Sequence, residues 1–182
     1  MTNSKLLVLD LDETLVHATE TKLAREPDFK AFQYYVYKRP HVEDFLDYAL
    51  NNFRVAVWTN SSSDYAALIV EQIFGHRRSE LQFVWSYRRC TQKYFRDLGE
   101  FWSVKQLKKV WKKGFPKEHI LAVDNDPEKF YSSYGNYIRV DSFEGKLEDK
   151  TLKNLAHYLE TLKDVNNVRR IEKRGWWLHY SA

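Results

Sequence analysis

The stretch LLVLDLDET places the apolar run Leu6-Leu7-Val8-Leu9 directly before three acids, Asp10, Asp12 and Glu13. An unbroken apolar run of this length, bounded by polar residues, predicts a strand buried on both faces, as in the middle of a parallel sheet. Carboxylates at the end of such a strand are costly to bury without partners. They therefore either cap the next segment or face a cation. Two further runs end in a similar way. Val55 to Trp58 breaks into Thr59, Asn60 and three serines, and Ile120 to Val123 stops at Asp124, Asn125 and Asp126.

Helical patterns lie between these runs. In HVEDFLDYALNNF, Val42, Phe45, Leu46, Ala49 and Leu50 recur at helical spacing, with acids in the first turn where they suit the helix dipole. A second helix is expected over residues 64 to 74 and a third in LEDKTLKNLAHYLETLK. SVKQLKKVWKK reads as a helix ended by Gly114. YYVYKRP, LQFVWSY and NYIRV read as strands, whereas residues 19 to 33, polar and containing Pro27, read as loop. RRCTQKYFRDLGEFW is expected to be an irregular basic and aromatic connection. Alternating strands and helices predict an α/β fold, a Rossmann-like, mainly parallel sheet with helices on both faces. The 182 residues suit a single domain, 1–182, whose last stretch, about 168–182, is a basic aromatic tail. Ligands of such sheets bind at the carboxyl ends of the strands, so the residues ending the three runs should meet on one rim.

Composition narrows the classes of function. With 43% hydrophobic and 30% charged residues, neither disorder nor a membrane protein is expected, and no apolar stretch reaches the length of a spanning helix. The apolar run near the N-terminus, in MTNSKLLVLD, is too short for a signal peptide, so none is expected. One cysteine, Cys90, excludes an internal disulfide framework and fits a reducing compartment. A soluble, intracellular protein is expected, cytoplasmic or, in a eukaryote, nuclear. Arg88, Arg89 and Lys93 around Cys90 are surroundings that lower a thiol pKa, but a lone thiol without a motif reads as a bystander. The net charge of +4 favours anionic partners. Much of it comes from KQLKKVWKK and RRIEKRG, read as a solvated helix face and a basic tail.

Several oxygen ligands on one rim suit magnesium, a hard dication that takes one or two carboxylates and keeps several waters. An ionised, poorly solvated aspartate beside it is a candidate nucleophile, and Asp10 is the choice here. Asp12, two residues on, is placed to act as general acid and then as base. Thr59 and Asn60 offer a hydroxyl, an amide and loop N–H groups to phosphoryl oxygens, and a basic side chain would neutralise developing charge.

Residues and order together resemble a known family. DLDET resembles the first motif of haloacid dehalogenase-like phosphatases. LDLDETLVH, YKRPHVEDFL, WTNSSSDYA, YFRDL and AVDNDP are similar to its FCP/SCP subgroup, phosphatases of the RNA polymerase II C-terminal domain. The resemblance runs from about Leu6 to Pro127. It implies a haloacid dehalogenase-like fold without a large cap domain, with Asp10 as nucleophile and Asp12 as general acid/base whose backbone carbonyl also reaches Mg2+. It further implies Thr59, with Asn60 beside it, as phosphate-binding residue, and Asn125 as a metal ligand together with Asp10. Asp124 would hold a metal water or the basic residue. Asp126 stands where the subgroup usually has serine. For the third motif, Y-x-K-D-L in the subgroup, the chain has Arg96, with Lys93 in reserve; a planar guanidinium is no neutral replacement for an ammonium.

The function so implied is magnesium-dependent hydrolysis of phosphomonoesters through an aspartyl phosphate, on phosphoserine or phosphothreonine in flexible protein segments. The connections after the first and third strands are short, so an open site is expected. The alternatives are a phosphatase of nucleic-acid ends or small phosphate esters, and a catalytically silent protein-binding module. The intact Asp10 and Asp12 pair argues against the last. A monomer is favoured.

Overall fold

The computed structural model describes residues 5–180, so the ends of the predicted domain and of its tail, 1–4 and 181–182, lie outside the described residues. Five parallel strands form the central sheet: β1 (Leu6–Leu9), β5 (Arg54–Trp58), β6 (Val84–Trp85), β9 (Ile120–Asp124) and β10 (Tyr137–Arg139), in the order β10-β9-β1-β5-β6. The first strand is central. Leu6 to Leu9 pair with Arg54 to Val57 on one side and with Ile120 to Val123 on the other. Because side chains alternate across a strand, Leu7 and Leu9 enter one core layer while Leu6 and Val8 enter the other. Helices α1 (Val42–Asn52), α2 (Ser63–Phe74) and α4 (Thr151–Leu162) cover the first face. The short helix α3 (Lys108–Trp111), with Leu107, Phe115 and Phe130, covers the second. The α/β architecture expected from the alternation is the one observed.

Four local expectations are corrected. Residues 16 to 38 do not hold one strand after a loop. β2 (Val16–Thr19), β4 (Tyr34–Lys38) and β3 (Phe29–Ala31) form a small antiparallel sheet, with buried Val36 and Tyr37 at its centre. The connection read as irregular is a hairpin, β7 (Thr91–Phe95) and β8 (Glu100–Val104), closed by a turn in which Gly99 takes φ +67°, a conformation that favours glycine. The expected helix from Ser103 is α3 alone, since Ser103 and Val104 belong to β8. LQFVWSY contributes only two residues to the sheet.

The basic tail packs on the domain. Trp176 is buried, stacks on Tyr158 at 5.3 Å and donates through Nε1 to the Arg139 carbonyl at 2.7 Å. Lys173 Nζ donates to the carbonyls of Gly135, Val168 and Ile171. Among the described residues, no helix is long and apolar enough to cross a membrane.

Candidate active site

Beyond Leu9 the chain keeps parallel pairing for one more residue, since the Asp10 N–H donates to the Val123 carbonyl at 3.1 Å. It then turns sharply. The N–H groups of Thr14, Leu15 and Val16 all reach the Leu11 carbonyl, and Glu13 occupies the left-handed region at φ +60°. The sheet therefore fixes Asp10, whereas Asp12 sits in the turn. Arg39, fully buried, ties this turn to the far side of the rim. Its guanidinium donates to the Thr14 carbonyl at 3.1 Å and the Asp141 carbonyl at 3.0 Å, and forms a two-point pair with Asp149 at 3.0 and 2.8 Å.

Asp10, Asp12, Thr59, Asn60, Asp124 and Asn125 come together around one cleft of about 290 Å³, with Ser61, Lys105, Asp126 and Lys129 completing its walls. At its floor Lys105 Nζ donates to Asp10 Oδ1 and to Asp124 Oδ2, each at 2.6 Å. All three groups are dry, at 2%, 7% and 1% exposure. Two buried carboxylates sharing one ammonium leave one net negative charge. Burial, then the Asp124 carboxylate, push the Asp10 pKa up to about 7 against the opposing pull of Lys105. Burial alone would lower the Lys105 pKa, but the two carboxylates outweigh it and hold the ammonium protonated.

Lys105 corrects two expectations. It lies in the run read as a solvated helix face, yet it is buried, and it fills the place beside Asp10 that Arg96 was expected to fill. Its backbone N–H donates to the Lys129 carbonyl at 2.8 Å, which fixes where the side chain starts. Arg96 stands exposed in the turn of the β7–β8 hairpin. Lys93, on the same hairpin, contacts Tyr131, over whose ring its ammonium lies at 4.6 Å. Neither is among the residues lining the cleft. The signal in the sequence was VKQL: Lys105 stands between Val104 and Leu107, both buried, as K-D-L does in the expected motif with one residue changed.

The remaining residues divide by what holds them. Thr59 is buried; its Oγ1 accepts from the Ser61 N–H at 3.0 Å, which leaves its own O–H to donate into the cleft. Asn60 Oδ1 accepts from Ser103 at 2.6 Å, leaving its NH2 as a donor. Asp124 holds the basic residue, with Oδ2 accepting from Lys105 at 2.6 Å and Oδ1 from the Asp126 N–H at 2.9 Å. Asp126 caps the following turn through the Glu128 N–H and pairs with Lys129 at 3.2 Å. Cys90 lies beside the Thr59 carbonyl, and burial pushes its thiol pKa up, not down as its basic neighbours in sequence suggested.

A magnesium ion fits the donor set. Among the described residues no three His, Cys, Asp or Glu side chains gather as a metal cluster. Instead Asp10 Oδ2 and Asn125 Oδ1 converge on one hydroxyl, Thr14 Oγ1, at 3.4 and 3.5 Å. Asn125 is oriented by donating its NH2 to Ser142 at 3.0 Å. One carboxylate oxygen and one amide oxygen brought to the same spot are hard oxygen donors of the kind magnesium prefers.

This sheet, with acids at the ends of its two central strands, defines a haloacid dehalogenase-like fold. A haloacid dehalogenase-like hydrolase from Streptococcus pneumoniae superposes with a TM-score of 0.53 at 11% identity, covering 87% of this chain and all of that one. The RNA polymerase II CTD phosphatase Fcp1 of fission yeast, solved with beryllium fluoride, superposes with a TM-score of 0.59 at 15% identity, over 93% of this chain and 53% of its own. In sequence, residues 5–169 match the family model of NLI interacting factor-like phosphatases, and the chain belongs to that family. A probable C-terminal domain small phosphatase of Dictyostelium discoideum is 33% identical over 92% of this chain. The chain spans about half the length of that relative, 53%.

Proposed function

We propose that the chain is a magnesium-dependent phosphomonoester hydrolase that works through a phosphoryl group on Asp10. The observation that carries this reading is the dry Asp10–Lys105–Asp124 arrangement at the floor of a cleft whose walls offer hydroxyl and amide donors. Asp10 attacks phosphorus with a carboxylate oxygen, and the bond from phosphorus to the substrate oxygen breaks while Asp12 gives that oxygen a proton. Lys105, Thr59 and Asn60 supply fixed positive charge and donors where charge develops on the phosphoryl oxygens. Asp12 then takes a proton from water, whose oxygen attacks phosphorus. The Asp10–phosphorus bond breaks, and Asp10 and inorganic phosphate are regenerated. Magnesium bound by Asp10, Asn125 and the Asp12 carbonyl would neutralise phosphoryl charge and keep Asp10 ionised.

Phosphoserine or phosphothreonine in a flexible protein segment is the substrate class that best suits these walls. A second, larger groove of about 590 Å³ adjoins the catalytic cleft, and Asp12 and Ser61 line both. Its sides include Tyr34 and the exposed Phe32, so residues flanking a phosphorylated side chain have apolar surface to meet. The Dictyostelium relative is named a C-terminal domain phosphatase, which favours a protein substrate. The test is phosphate release from para-nitrophenyl phosphate and from phosphoserine peptides, with magnesium or with EDTA, comparing the wild-type chain with Asp10→Asn. Magnesium-dependent release lost in the variant supports the proposal. Equal activity of the two proteins contradicts it.

A further inference from the structure

Neither Ser61 nor Tyr65 was singled out in the sequence, yet together they bind both oxygens of Asp12. Ser61 Oγ donates to Asp12 Oδ2 at 2.6 Å, and the Tyr65 hydroxyl donates to Asp12 Oδ1 at 2.5 Å. These are short contacts of the kind hydroxyls make with charged acceptors. They reach Asp12 from two differently built places. Tyr65 is buried in the first turn of α2, where its N–H meets the cap Ser62 at 3.2 Å and Tyr34 of the small sheet packs edge-on against its ring at 6.1 Å. Ser61 lies in the loop before that helix and swings on a single side-chain torsion.

The two hydroxyl partners also face different spaces. Ser61 lines both the catalytic cleft and the adjoining groove, whereas Tyr65 lines the groove alone. We infer that Tyr65 is a positioning residue that holds Asp12 by Oδ1 so that Oδ2 is presented to the leaving oxygen, with Ser61 as an exchangeable partner that gives way when substrate arrives. This rests on the phosphatase reading above. The geometry suits both forms that an acid/base residue must take. Oδ1 accepts from Tyr65 whether or not Oδ2 carries a proton, so the anchor persists while the Oδ2–H bond breaks and the proton passes to the leaving oxygen. Without that anchor the carboxyl is free to rotate, and a loss of alignment at the reacting oxygen slows proton transfer. Tyr65 further links the groove to the chemistry, since a residue seated against it touches the group that orients the acid.

A positioning role is separated from a structural one by the leaving group. An alkoxide such as that of serine needs a proton as it departs, whereas para-nitrophenolate leaves readily without one. In single-turnover reactions with magnesium, Tyr65→Phe should slow phosphate transfer from a phosphoserine peptide by about tenfold or more. The burst of para-nitrophenolate should change by less than about threefold. Ser61→Ala should show the same bias more weakly. In an Asp12→Asn background Tyr65→Phe should add no further loss, because its hydroxyl acts through Asp12. Equal losses on both substrates, no loss on either, or a loss that persists without Asp12 would overturn the inference. A wild-type chain that releases no phosphate would sink the phosphatase reading as well, and an active wild type with an unbiased Tyr65→Phe would sink this inference alone.

Discussion

Asp10 and Asp12 are the same residue type two positions apart, and their surroundings differ in almost every respect. Asp10 is buried on the end of a central strand, carries an ammonium on one oxygen and shares it with Asp124. Asp12 is half-buried in a turn, and neutral hydroxyls hold both of its oxygens. The lesson is that a role follows from the neighbours and not from the residue. Under the proposed mechanism the carboxylate in the dry, cation-lined site is the nucleophile, and the one among hydroxyls at the edge of two grooves moves the proton.

The largest expected effect breaks the first half of that contrast. Asp10→Asn keeps the side chain's shape but removes the attacking oxygen, and phosphate release should fall by at least about a thousandfold with the fold intact by circular dichroism. Lys105→Met attacks the same site through its cation. Stranding two buried carboxylates should cost about 3–5 kcal/mol in a denaturant titration without magnesium. Magnesium should restore part of that loss, because a ligand that binds only the folded state stabilises it. Arg96→Ala and Lys93→Ala, on the exposed hairpin, should each shift stability by less than about 0.5 kcal/mol and leave the burst on para-nitrophenyl phosphate close to wild type.

That difference between lysines and arginine also shows what could be read from the sequence. The central strands were legible because each is an apolar run that stops at chemistry: Leu9 before Asp10, Trp58 before Thr59, Val123 before Asp124. Helices α1, α2 and α4 were legible from their spacing. Lys105 was not, because the charge run KQLKKVWKK hides one buried lysine among solvated ones, and only its apolar neighbours Val104 and Leu107 mark it. The β7–β8 hairpin was missed because aromatic residues alternate on both of its faces, Tyr94 against Phe101 and Phe95 against Trp102, which erases the usual contrast of a half-buried strand. β2 and β3 were missed because these short strands bury few residues and keep a largely polar sequence.

The second half of the contrast predicts a smaller and more selective loss. Asp12→Asn should slow phosphoserine peptide turnover by about 10²–10⁴-fold, the range of general acid–base catalysis, while the first burst on para-nitrophenyl phosphate is largely retained. Read by quench-flow, an equal loss on both substrates would place Asp12 with Asp10 as a charge-stabilising group instead.

A further effect concerns the turn that holds Asp12. Burial would raise the Asp149 pKa, but the Arg39 guanidinium that also grips this turn outweighs it and holds the carboxyl below its usual range. A carboxyl depressed in the folded state contributes stability above its unfolded value, near 3.8, and loses that contribution as pH falls through its folded value. Asp149→Asn should therefore lower the melting temperature at neutral pH and flatten its decline below about pH 4, as followed by thermal melts across that range.

The central claim, that Asp10 carries the phosphoryl group, has a direct measurement. The magnesium-loaded chain is mixed with phosphopeptide substrate, quenched in acid within the first turnover, digested and examined by mass spectrometry. The account predicts one phosphoryl group on the peptide containing Asp10, absent from Asp10→Asn and, with para-nitrophenyl phosphate as the donor, enriched in Asp12→Asn, whose second step is slowed. Phosphate release by the wild type with that peptide unmodified at every quench time, or with the phosphoryl group on another residue, would contradict it.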